Sequence, residues 1–175
     1  MLRKVRFTQG YVHTQLATTL HKYWVARNII VWLQEDFSSP ISQITNLQRC
    51  QLLFRALKHD LSKYRWDEAK VFAQNVHKLK QVKYGGEDYQ RLLSEVRPAL
   101  DKHYQRNRHH PEWHANGIAD MSFVDKVEMI ADWAASCRRN NGGNLQTSLS
   151  KNAQRFAISW PEQMRLQTLA TQMQG

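Results

Sequence analysis

Two adjacent residues, His59 and Asp60, stand within the run Leu57-Lys58-His59-Asp60-Leu61-Ser62-Lys63. From a single turn of backbone they offer one ion an imidazole nitrogen and a carboxylate oxygen. Mixed ligation of that kind suits Zn, Fe, Mn or Co better than a dedicated Ca site. Further donors lie on either side: His21 upstream, then His103, His109, His110 and Asp132 downstream. The order His, His-Asp, Asp is therefore a candidate metal set of His21, His59, Asp60 and Asp132.

A second group surrounds the run Asn107-Arg108-His109-His110-Pro111-Glu112-Trp113-His114. Pro111 stiffens it and restricts His110 to extended backbone. Adjacent His side chains on extended chain point to opposite sides, so at most one of His109 and His110 serves a given ion. With His103, Glu112 and Glu128, this run is a candidate for a second metal or for substrate phosphate. Arg106, Arg108, Arg138 and Lys63 supply cations for the phosphate.

Helices must carry these residues. Seven Gly and four Pro are few for the length, which favours long helices over many turns. In residues 9–35 Val12, Leu16, Leu20, Trp24 and Val31 recur at mostly helical spacing, and Ser38-Ser39-Pro40 ends that helix. Asn46 is a cap for a second helix running through Leu53, Phe54 and Leu57 into His59-Asp60. A third runs from about Trp66 to Lys83, and Gly85-Gly86 breaks the chain. A fourth follows from about Glu87 to Arg106, with Pro98 as a kink or boundary. Residues 107–120 read as an ordered loop. Ser122 caps a fifth helix that Asn140-Asn141-Gly142-Gly143 stops, and a last helix covers roughly Ser150 to Met173.

On the fifth helix Asp125, Glu128 and Asp132 fall at i, i+3 and i+7 and share a face beside the apolar Phe123, Val127, Ile130 and Ala134. Asp132, between Ala131 and Trp133, reads as buried, whereas Asp125 reads as the solvated side. A carboxylate bordering a buried stripe is costly unless paired or metal-bound. No alternating strand pattern and no internal repeat is visible. The expectation is an all-α, single-domain helical bundle over 1–175, with a core of about 9–140 and a C-terminal helix of about 150–173.

Composition limits the function. Of the 175 residues, 42% are hydrophobic, and six each of Trp, Tyr and Phe mark a folded chain rather than a disordered one. The net charge of +10 points to anionic partners: a phosphorylated small molecule such as a nucleotide, or nucleic acid. No run of basic residues makes a polybasic tail, and Lys78, Lys80 and Lys83 read as a solvated face. Cys50 and Cys137 have no CxxC spacing and fit a reducing cytoplasm. No apolar run approaches the roughly 20 residues a membrane helix needs, so no membrane association is expected. Met1 to Gln34 carries Arg and Lys but no acid, a transit-peptide-like composition. It also holds His21 and an apolar face, so it is expected to be part of an unprocessed cytoplasmic protein.

The motifs carry two resemblances. His59-Asp60-Leu61-Ser62-Lys63 is similar to the His-Asp-x-Gly-Lys motif of HD-superfamily metal-dependent phosphohydrolases, and His109-His110-Pro111-Glu112 followed by Asp132 looks like the His-His-Glu and later Asp of the HD-GYP branch. Ser62 stands where the first motif has Gly, and no Gly-Tyr-Pro follows the His-His element, so cleavage of cyclic dinucleotides is not implied. The stretch from about His21 to Phe156 also resembles a small, poorly characterised family of bacteria and phages. It does so through Ser62-Lys63, Glu68, the 107–112 block, Met121-Ser122, Glu128-Met129 and Asp132-Trp133. The HD resemblance implies an HD-like helical domain and a divalent ion (Mn, Fe, Co, Zn or Mg) on His21, His59, Asp60 and Asp132. It also implies hydrolysis of a nucleotide or other small phosphoester, with Asp60, Lys63 and Glu68 in catalytic roles. The alternative is an HD-like protein that binds nucleotide or nucleic acid without turnover.

Overall fold

A computed structural model describes residues 2–39, 43–79, 81–82, 86–138 and 143–173. The fold is all-α, with seven α-helices and no strand among the described residues: α1 (Leu2–Ser38), α2 (Asn46–Lys58), α3 (Trp66–Leu79), α4 (Glu87–Arg106), α5 (Phe123–Arg138), α6 (Leu145–Arg155) and α7 (Trp160–Gln172). Short 3₁₀ turns cover Leu61–Tyr64, Pro111–Trp113 and Gly117–Asp120, so the loop expected over 107–120 is ordered. No described helix is long and apolar enough to cross a membrane. The breaks expected at Gly85 and at residues 140–142 lie outside the described residues, as do Lys80 and Lys83.

The chain forms two compact units, each made of two stretches: Met1–Leu20 with Asp60–Asn107, and His21–His59 with Arg108–Gly175. In the first unit α3 packs on α4 around Phe72, Val96 and Ala99, with Val71 and Leu100 against them. Asp67 and Glu68 in the first turn of α3, and Glu87 and Asp88 in that of α4, complement the helix dipoles. Pro98 lies inside α4, which continues through it, so it is not a boundary. Gly10 of α1 permits a close approach: a Cβ there would stand 2.9 Å from the Ala73 carbonyl oxygen.

The second unit holds the larger core, built from Val25, Ile29 and Trp32 of α1, Leu52 of α2, Leu166 and Leu169 of α7, and nearly the whole circumference of α5. A helix that is apolar on most sides is a buried one. Ser122 and Asp125 start α5 with reciprocal bonds, the Ser122 N–H to Asp125 Oδ2 at 2.9 Å and the Asp125 N–H to Ser122 Oγ at 3.2 Å.

Four expectations are corrected. The apolar stripe of α1 is not its buried face: Val12, Leu16 and Leu20 are exposed. The buried side runs instead through His21, Val25, Asn28, Ile29, Trp32 and Asp36, three of which are polar with specific partners. Asn28 donates to the Ala131 carbonyl at 3.0 Å, and Asp36 accepts from Arg49 at 2.7 Å. On α2, Leu53, Phe54 and Leu57 are exposed while Leu52 and Ala56 are buried, and the cap is Thr45, with a reciprocal Gln48 bond, not Asn46. The single last helix is two. The chain breaks at 156–159, where Ala157 takes a positive φ of 47°, and Pro161 stands in the first turn of α7.

Candidate metal centre

Within the second unit, three helices bring donors to one place. His21 projects from mid-α1, His59 is the residue that ends α2, and Asp132 lies on α5 one turn past Glu128. His21 Nε2 is 2.8 Å and His59 Nε2 is 3.8 Å from Asp132 Oδ1. The two imidazole centroids are 5.5 Å apart. All three residues are buried, and one ligand atom from each lies within 4.8 Å of the others. Two neutral imidazoles and a carboxylate form a donor set that fits a divalent first-row ion.

His109 enters from the loop before α5. Its ring centroid is 4.3 Å from that of His59 and 4.2 Å from that of His110, both rings tilted against it. Glu128 serves both buried rings: its Oε1 is 2.9 Å from His59 Nδ1 and 3.3 Å from His109 Nδ1. Its Oε2 accepts from Arg55 Nε at 2.6 Å. Burial by itself raises the pKa of Glu128, but the bonds from His109 and His59 outweigh it and hold the carboxyl well below the usual range. Asp132 behaves likewise: burial raises it, and the His21 hydrogen bond with the charges of His21, His59 and His109 pulls it well below.

Asp125, expected on the solvated side, is fully buried. Arg55 Nη1 reaches its Oδ1 at 2.7 Å, and Arg108 stands 3.4 Å from its Oδ2. Sequence reasoning missed Arg55 as well. The available signal was spacing, since Arg55 precedes His59 by one helical turn and shares its face of α2. The remaining candidates of this unit have other company. Glu112 pairs with Arg155 of α6, Arg138 lies over the Trp24 ring, and Arg108, half exposed, also covers Trp113.

The division between the units falls at the His59–Asp60 bond, and Asp60 belongs to the first unit. It is fully buried with a left-handed φ of 56°, a conformation that Asp tolerates better than most residues. Lys63 pairs with its Oδ2, and His103 Nε2 lies 3.2 Å from its Oδ1. The other nitrogen of His103 is 3.1 Å from Glu68 Oε2, which also accepts from Ser62 Oγ at 2.8 Å. Arg106 closes the network on Glu68 Oε1 at 2.6 Å and on Asp67 Oδ2 at 2.8 Å. Burial raises the Glu68 pKa, yet bonds from His103, Arg106 and Ser62 bring it below its ordinary value. Asp67, on the exposed side of Arg106, is lowered to about 2, chiefly by that guanidinium.

A family model described as "Family of unknown function (DUF5662)" matches residues 11–174. The chain belongs to that family. The match takes in every candidate residue named above. No curated protein and no solved structure matches the chain.

Proposed function

We propose that this member of the family is a metal-dependent phosphohydrolase acting on a nucleotide or another small phosphoester. The observation that carries the reading is the buried meeting of His21, His59 and Asp132 from three separate helices. Three such donors far apart in sequence cost solvation when buried together, and a bound cation offsets that cost.

A divalent ion held there would polarise a phosphoryl oxygen and supply hydroxide at neutral pH. Asp132 contributes the charge that holds the cation, and His21 and His59 complete the donors. Arg108, partly exposed on the same loop as His109 and His110, is available to a phosphate oxygen, and the net charge of +10 favours an anionic substrate. The HD resemblance assigns Asp60 and Lys63 to the same chemistry, as ligand and as charge compensation, and that assignment rests on the motif.

The test is metal analysis of the purified protein, followed by nucleotides, cyclic nucleotides and other phosphoesters assayed with Mn, Co, Zn, Fe and Mg. Bound metal and metal-dependent hydrolysis are expected. Metal binding without hydrolysis across the panel would leave a binding protein in place of the enzyme. A His21→Ala protein that keeps full metal would refute the centre.

A further inference from the structure

His59 is common to two groups of potential ligands, His21/His59/Asp132 and His59/His109/Glu128. One neutral ring cannot serve both, because filling both nitrogens requires loss of both ring protons. The surroundings separate the groups. Glu128 already carries a guanidinium, with Arg55 at 2.6 Å, and the same Arg55 reaches Asp125. A second cation on Glu128 would face that charge directly. Asp132 instead faces His21 at 2.8 Å and His59 at 3.8 Å, and its side chain is the more exposed of the two carboxylates, at 12% against 4%.

We infer that Glu128 is a positioning residue rather than a ligand. Its single Oε1 accepts the Nδ1 protons of His59 and His109, turning the Nε2 edge of His59 toward Asp132, while Arg55 fixes its Oε2. The metal reading above supplies the ion, and the inference rests on it for that part. A carboxylate behind a ligating histidine sets the tautomer, orients the ring and raises its basicity. Here one carboxylate oxygen does so for two rings 4.3 Å apart, which couples their orientations. Glu128 lies on α5 one turn before Asp132, so the positioning group and the ligand carboxylate share one helix.

Two measurements test this. In the metal-free wild type, nitrogen-15 spectra of the histidine rings should show a proton on Nδ1 of both His59 and His109. A ring with Nε2 protonated and Nδ1 bare overturns the inference, whether or not any metal binds. In the second, cobalt is titrated into wild type and Glu128→Gln, with helicity checked by circular dichroism. The variant should bind about 10- to 100-fold more weakly while the visible spectrum of the bound cobalt and the number of ions per chain stay the same. Unchanged affinity overturns the positioning role while the metal centre stands. Loss of one ion per chain makes Glu128 a ligand and overturns it too. A wild type that takes up no metal removes the centre and the inference together.

Discussion

Two buried imidazoles, one in each unit, are each flanked by two carboxylates, and they differ in how near the second carboxylate stands and in what else surrounds the ring. His103 has an acidic oxygen at hydrogen-bond distance on both nitrogens, 3.1 Å from Glu68 and 3.2 Å from Asp60. His59 has Glu128 at 2.9 Å on Nδ1, but Asp132 stands 3.8 Å from Nε2, with the His21 and His109 rings alongside. Bridged on both sides, the His103 imidazole is built into a polar network that Lys63 and Arg106 extend. With one side drawn back and a second imidazole on the same carboxylate, the arrangement suits ligation. Residue types alone do not distinguish the two surroundings; the spacing of the second carboxylate does.

The strongest way to break the comparison is to remove each ring in turn. His59→Ala and Asp132→Asn should empty the protein of metal, read by elemental analysis. Where a substrate has been found, the rate should fall by about a thousandfold or more, roughly 4 kcal/mol of barrier. His103→Ala should leave the metal content largely in place and instead destabilise the fold by about 3 kcal/mol, because Asp60 and Glu68 lose a buried partner; urea unfolding measures it. Equal metal loss in His103→Ala and His59→Ala would erase the distinction and make the first unit's cluster a metal site of its own.

Much of this was legible in the chain. The all-α order of the first five helices follows from the 3.6-residue spacing, and the types and order of His21, His59 and Asp132 single out residues that the structure brings together. The buried face of α1 was not legible, because hydropathy favours Leu16 and Leu20 over Asn28 and Asp36, whose burial depends on partners distant in sequence. Asp125 was misread for the same reason: its solvation is replaced by Arg55, which only the fold brings near. The break between α6 and α7 hid because Ala157 takes a conformation usually left to Gly.

A smaller effect probes the first unit away from any ring. Gly10→Ala in a helix would ordinarily gain about 1 kcal/mol. Here the new Cβ meets the Ala73 carbonyl oxygen at 2.9 Å, so a net loss of about 1 kcal/mol is expected in thermal unfolding. A gain would mean that α1 and α3 separate at little cost.

The smallest effect is in acid. Asp67 has a folded pKa of about 2 against an ordinary value of 3.8. A depressed carboxyl contributes stability that is complete above its unfolded pKa and disappears as pH falls through the folded one. The contribution of the Asp67–Arg106 pair should therefore decline from about pH 4 and be gone below about 2, and Asp67→Asn should flatten that part of the stability profile.

The two units are interleaved, since each takes one stretch from the first third of the chain and one from later. During synthesis both stretches of the first unit are complete once Asn107 has left the ribosome. At that moment His21–His59 displays Val25, Ile29, Trp32 and Leu52 with no α5 to cover them. A nascent chain halted near Asn107 is thus a partly folded protein with an open apolar face, the kind of species that chaperones hold and that aggregates without them. The helix that closes that face also delivers Asp132, so the growing chain covers its greasy surface and completes the His21, His59 and Asp132 cluster in one event.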